Sequence, residues 1–101
     1  SQLLENSFET LDLVDEILNT HPEIQIEIAG HTDNSGNAYL NQRLSEQRAN
    51  AIKNYLIKSG IASDRIKTIG YGGIKPIASN ESEETMKLNR RVEFKLFQKK
   101  E

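Results

Sequence analysis

The chain has 101 residues, 36% of them hydrophobic and 28% charged. That fits one modest globular domain over residues 1–101, with no run approaching the roughly 18 to 20 apolar residues of a membrane-spanning helix. Thirteen Lys and Arg against fifteen Asp and Glu give a net charge of −2, which argues against a general binder of nucleic-acid phosphates, and the absence of cysteine excludes disulfides and thiolate zinc sites.

The opening SQLLENSFET has neither the basic n-region nor the apolar h-region of a signal peptide. A start at Ser is expected of a piece of a longer protein. From residue 4 to about residue 19, Leu4, Phe8, Leu11, Val14, Ile17 and Leu18 recur at three- and four-residue spacing. That is one stripe of an amphipathic helix, which Pro22 ends by breaking the hydrogen-bond ladder. Residues 23–28 then alternate strictly, with Ile24, Ile26 and Ile28 on one side, which predicts a strand with one face on the core. Gly30 closes it.

A second helix is predicted from about residue 38 to 59, with Gly60 as its C-cap. On a helical wheel Leu40, Leu44, Ala51, Ile52 and Tyr55 fall within about 120° of one another. Asn41 and Arg48 share that arc, which places an arginine on the apolar stripe. Residues 66–71 read as a second strand, and strand, helix, strand is a crossover that makes the two strands parallel. Residues 72–80 are loop, 82–88 form a short helix, and 91–97 alternate as a last strand with Val92, Phe94 and Leu96 on one face. The fold class is an α/β sandwich with helices on a small sheet, and a further strand, ahead of residue 1 or from a partner, would complete it.

An arginine on an apolar stripe is costly unless its donors find partners. Either its stem packs while the head snorkels to the edge or meets a carboxylate, or it stands at a pocket mouth and grips a ligand carboxylate. Asp33, just past the first strand, is either a turn-forming residue or the anionic half of a site at the end of the strands. The two residues can also simply pair with each other. Left free near one crevice, they suit a zwitterion such as an amino acid. Asn41, about 10 Å from Arg48 along the same face, can orient a ligand or contact the start of its helix, and Thr32 can add a hydroxyl. His31 lacks the partners that a metal site or a hydrolase would need, so it reads as a packed strand-end residue. Of Arg90 and Arg91, one is expected to face solvent and the other the sheet's helix side or end.

Four blocks, IEIAGHTDNSG (26–36), YLNQRLSEQRANAIKNYL (39–56), GYGGIKPIASN (70–80) and NRRVEF (89–94), resemble the OmpA-like C-terminal domain family. This peptidoglycan-binding module is found in outer-membrane protein A, the Pal lipoprotein and MotB-type proteins. The resemblance implies a mixed four-stranded sheet with helices on one side. Its first strand would precede SQLLENSFETL, so this chain is expected to lack it. It implies no cofactor, no metal and no catalysis. The implied partner is the diaminopimelate residue of the peptidoglycan stem peptide, held without a covalent bond in the periplasm by a domain of an outer-membrane or envelope protein. By resemblance Asp33 takes the ammonium and Arg48 the carboxylate, with Thr32, Asn34, Asn41, Leu88 and Arg90 in supporting positions. Where the family often has Glu-Gly-Arg, this chain has Glu84-Thr85-Met86. The other reading is an interaction module for envelope proteins or a homodimer, with Asp33 and Arg48 as a structural pair.

Overall fold

The computed structural model describes residues 5–98, with side chains from residue 9 onward. Leu4 and the Phe8 side chain therefore lie outside the described residues. In chain order come α1 (Glu5–Thr20), β1 (Ile24–Gly30), α2 (Ala38–Lys58), a 3-10 turn (Ser63–Arg65), β2 (Ile66–Gly70), α3 (Glu83–Asn89) and β3 (Val92–Gln98). The sheet has the order β2-β1-β3. β1 pairs parallel with β2 and antiparallel with β3, so the mixed sheet expected from the sequence is present.

Alternation along β1 places Ile26 and Ile28 in the core, where Leu11, Val14 and Leu18 of α1 meet Ala49, Ile52 and Leu56 of α2. Each fully buried Leu or Ile contributes roughly 1.5–3 kcal/mol. The opposite face of the sheet is mixed, with Ala29, Ile69 and Phe97 beside charged residues. There Glu27 stands opposite Lys67 on one side and Lys95 on the other, and neighbouring opposite charges of this kind favour the pairing modestly.

Helix α2 is rotated from the orientation that the helical wheel predicts. Its buried residues are Ser45, Ala49, Ile52 and Leu56, while Leu40 and Tyr55 are 62% and 44% exposed and Ala51 is exposed. Arg48 consequently sits half-buried on the flank of the stripe, not within it. The cause is distance. α2 crosses the ends of β1 and β2 so closely that a Cβ on Gly30 would overlap the Ser45 carbonyl, 2.9 Å from its carbon. A Cβ on Gly70 would lie 2.6 Å from the Glu46 nitrogen. Only small residues fit such a contact, so Ser45 and Ala49 occupy it, Ile52 and Leu56 continue the buried stripe beyond it, and Leu40 and Tyr55 turn outward.

The helix ends where Gly60 adopts φ +107. Gly60 N–H donates to the Ile57 carbonyl and Ile61 N–H to Leu56, the two bonds of a Schellman motif. Arg65, which nothing in the sequence marks, ties α1 to β1 by donating to the carbonyls of Leu18, His21 and Ile24 at 2.7–3.1 Å.

Replacing Gly30 with Ala is expected to cost about 1–3 kcal/mol through overpacking, read as a lower urea midpoint at unchanged slope. A midpoint equal to that of the wild type would show that α2 can lift off the strand at no cost.

Candidate functional site

β1 runs out of the sheet into His31-Thr32-Asp33, and its neighbours hold the turn. His31 exchanges backbone hydrogen bonds with Arg91, and Thr32 N–H donates to the Gly72 carbonyl at 2.9 Å. Asp33 is 6% exposed. Its Oδ1 accepts from Ser35 N–H at 2.9 Å and from the Ser35 hydroxyl, so it forms the Asx turn expected of such a residue. Its Oδ2 accepts from Arg90 Nη1 at 2.6 Å. Ser35's hydrogen bonds, and then Arg90, hold the Asp33 carboxyl below its ordinary pKa although burial opposes them. It is not the cap of α2, because Asn37 Oδ1 accepts from Leu40 N–H.

The second half of the turn's wall is the loop at 72–80. Gly73 lets it lie against the Asp33 backbone, where a Cβ would come within 2.7 Å of the Asp33 carbonyl oxygen. Asn34 N–H reaches Asn80 Oδ1 at 3.4 Å. Asn89, fully buried, holds this loop with all of its amide. Oδ1 accepts from Ile77 and Ala78 N–H, and Nδ2 donates to the Ala78 carbonyl and Asn80 Oδ1.

Of the residues named from the sequence, Asp33, Thr32, Asn34, Asn41 and Arg90 are brought to one loop. Thr32 donates its hydroxyl hydrogen bond to the Asp33 carbonyl. Asn41 Nδ2 donates to the Ser35 carbonyl at 2.7 Å, a loop contact rather than one to Arg48. Leu88 is 51% exposed at the end of α3. Arg48 and Asp33 are not a pair. Asp33 takes Arg90 instead, because the turn before β3 brings that guanidinium to its free oxygen. Among the described residues Arg48 has neither a hydrogen-bond nor an ion-pair partner. Arg48 lies about two turns along α2 from Asn41, which contacts the loop.

Arg90 and Arg91 both find carboxylates. Arg90 bonds Asp33 and Glu83, while Arg91 bonds Glu93 at 2.7 Å. His31 is 1% exposed and stacks on Tyr71 with ring centroids 5.1 Å apart. Lys75 Nζ lies over the Tyr71 ring, 4.2 Å from its centroid. Neither imidazole nitrogen has a hydrogen bond. Among the described residues no group of three or more His, Asp or Glu could hold a metal. A cleft of about 380 Å³ between α2 and β2, lined by Gln42, Glu46, Asn50, Thr68, Ile69 and Gly70, includes none of Asp33, Arg48 or Arg90. Glu83, Asn80 and Asn89 escaped sequence reasoning. Only the adjacency of Asn89 to the two arginines pointed toward it.

The family model that matches this chain is that of the OmpA family, over residues 1–90. Among relatives, the peptidoglycan-binding protein ArfA of Mycobacterium tuberculosis is 41% identical over 94 residues, which are 93% of this chain and 29% of ArfA. Outer membrane porin F of Pseudomonas fluorescens is 40% identical over 88 residues, 87% of this chain and 27% of the porin. The chain thus spans less than a third of these two relatives. Among solved structures, the peptidoglycan-associated lipoprotein of Burkholderia pseudomallei superposes with a TM-score of 0.88 at 26% identity, covering 95% of this chain and 81% of that one.

Burial, followed by the charge of Arg91, lowers the His31 pKa, with Glu93 opposing. The unfolded chain therefore takes up this proton at a higher pH than the folded one. The stability that depends on a neutral His31 is full above about pH 6.5 and declines as pH falls toward the depressed folded value. His31→Phe keeps the stack without the titration. Its unfolding free energy is expected to vary less than the wild type's between pH 7 and 5, and parallel curves from urea titrations would rule this origin out.

Proposed function

The chain belongs to the OmpA family, and from that premise we propose that it is a non-enzymatic module that holds peptidoglycan through diaminopimelate. It would act in the periplasm, as one domain of a longer outer-membrane or envelope protein. The observation that carries the reading is the half-buried Arg48, which has no hydrogen-bond or ion-pair partner among the described residues and stands on the helix whose Asn41 contacts a loop built around a buried carboxylate. A guanidinium held there without a counter-ion is poised for a carboxylate from outside.

The chemistry follows from the two charges. The ligand's ammonium approaches Asp33, whose lowered pKa keeps it ionised. The ligand's carboxylate takes Arg48, and the positive end of the α2 dipole adds to the attraction. Thr32 and Asn41 fix the backbone that carries Asp33, through the Asp33 and Ser35 carbonyls. Asn34 and Arg90 belong to the same loop system, and in this reading they and the exposed Leu88 would border the ligand. Support from the relatives is that one carries peptidoglycan binding in its name and another is a peptidoglycan-associated lipoprotein.

Asp33→Ala and Arg48→Ala are each expected to weaken binding to diaminopimelate-type sacculi roughly 10- to 100-fold, the range set by ~1.5–3 kcal/mol per charge-assisted hydrogen bond. Both should keep their far-UV circular dichroism. Lysine-type peptidoglycan lacks the distal carboxylate and should bind the wild type much as diaminopimelate-type binds Arg48→Ala. Wild-type affinity from both variants would refute the assignment.

A further inference from the structure

One residue outside this scheme touches it through Arg90. The Arg90 guanidinium spans two carboxylates, with Nη1 on Asp33 Oδ2 at 2.6 Å and Nη2 on Glu83. We infer that Glu83 is a positioning residue for the ammonium half of the site, holding Arg90 in a two-carboxylate clasp that keeps Asp33 attractive to a cation. The inference rests on the diaminopimelate reading.

The argument is electrostatic. Asp33 and Arg90 alone sum to zero charge, and an ammonium arriving at Oδ2 would meet a guanidinium already seated there. Like charges at such a separation repel. With Glu83 on the other nitrogen the cluster carries one net negative charge. Arg90 then has a second carboxylate to lean on as the incoming cation takes its share of Oδ2. Glu83 therefore makes the carboxylate side of the pocket a cation site rather than a neutral ion pair.

The fold keeps these groups in register. Glu83 opens α3 directly after Ser82, whose hydroxyl caps the helix by accepting from Thr85 N–H. Arg90 follows directly after Asn89, the buried residue that holds the adjoining loop. One short helix therefore fixes both ends of the Glu83–Arg90 contact. Glu83 is largely exposed, so salt screens its contribution and the effect should be several-fold rather than total.

Glu84 supplies the control. It occupies the same first turn of α3 and makes no contact with Arg90 among the described residues. Diaminopimelate should be titrated calorimetrically into wild type, Glu83→Gln, Glu83→Asp and Glu84→Gln at low and high salt. At low salt Glu83→Gln should bind three- to tenfold more weakly, Glu84→Gln within twofold of the wild type, and Glu83→Asp in between. The difference should shrink at high salt. Without ligand, the Asp33 carboxyl followed by carbon-detected NMR should titrate at lower pH in Glu83→Gln than in Glu84→Gln, because a like charge has left its partner.

A wild type that binds while Glu83→Gln and Glu84→Gln behave alike overturns the clasp and leaves the ligand reading standing. Equal Asp33 midpoints in those two variants overturn the clasp whatever the ligand. A wild type that does not bind diaminopimelate overturns the ligand reading, and with it the role given to Glu83.

Discussion

The close crossing of α2 over the ends of β1 and β2 governs both the packing of this molecule and the placement of its charged groups. Gly30 and Gly70 give up their side chains so that the Ser45 turn of the helix can rest on the strand backbones. Ser45 then uses its hydroxyl twice, donating to the Gln42 carbonyl and accepting from Gly72 N–H. A wider separation would leave the Gly72 loop without that anchor and move Asn41 away from the Ser35 carbonyl. The same contact decides which helix face is buried, and so puts Arg48 on the flank where its head is free. Packing in the core and placement of a guanidinium are two results of one distance.

Around Asp33 the polar groups form two systems with different tasks. Amides do the holding. Asn41 fixes the turn from the helix side, and Asn89 and Asn80 fix the facing loop, all through neutral hydrogen bonds whose strength barely depends on pH or salt. Charged groups lead outward from the buried Asp33 through Arg90 to the exposed Glu83. Asp33, Arg90 and Glu83 stand in a row, with Arg48 separate on α2. A frame of neutral bonds keeps its shape while the charges beside it exchange partners, which is what binding a zwitterion would require.

Much of this was legible in the sequence because it is local. Alternation in residues 24–28, the Gly60 stop and the turn chemistry of Asp33 each depend on neighbours a few positions away, and each appears as read. The rotation of α2 was not legible, because a helical wheel weights large apolar residues and the close crossing over Gly30 and Gly70 centres the buried face on Ser45 and Ala49. Arg65 and Asn89 serve backbone carbonyls and amides far along the chain, and nothing in their immediate surroundings announces it. The Asp33–Arg90 pair joins residues 57 positions apart, whereas the sequence pattern offers Arg48 as partner. The resemblance placed both arginines at the site without saying which one the aspartate would hold.

The stack of His31 on Tyr71 has a use that is independent of its cause. The chain contains no tryptophan and three tyrosines, of which Tyr39 and Tyr55 are substantially exposed. Tyr71 lies against the imidazole of His31, which stands two residues before the aspartate of the turn. Ring currents from His31 should displace the Tyr71 aromatic proton resonances from those of the other two tyrosines. The protein thus contains an intrinsic spectroscopic reporter at the root of the turn, readable without any label or substitution.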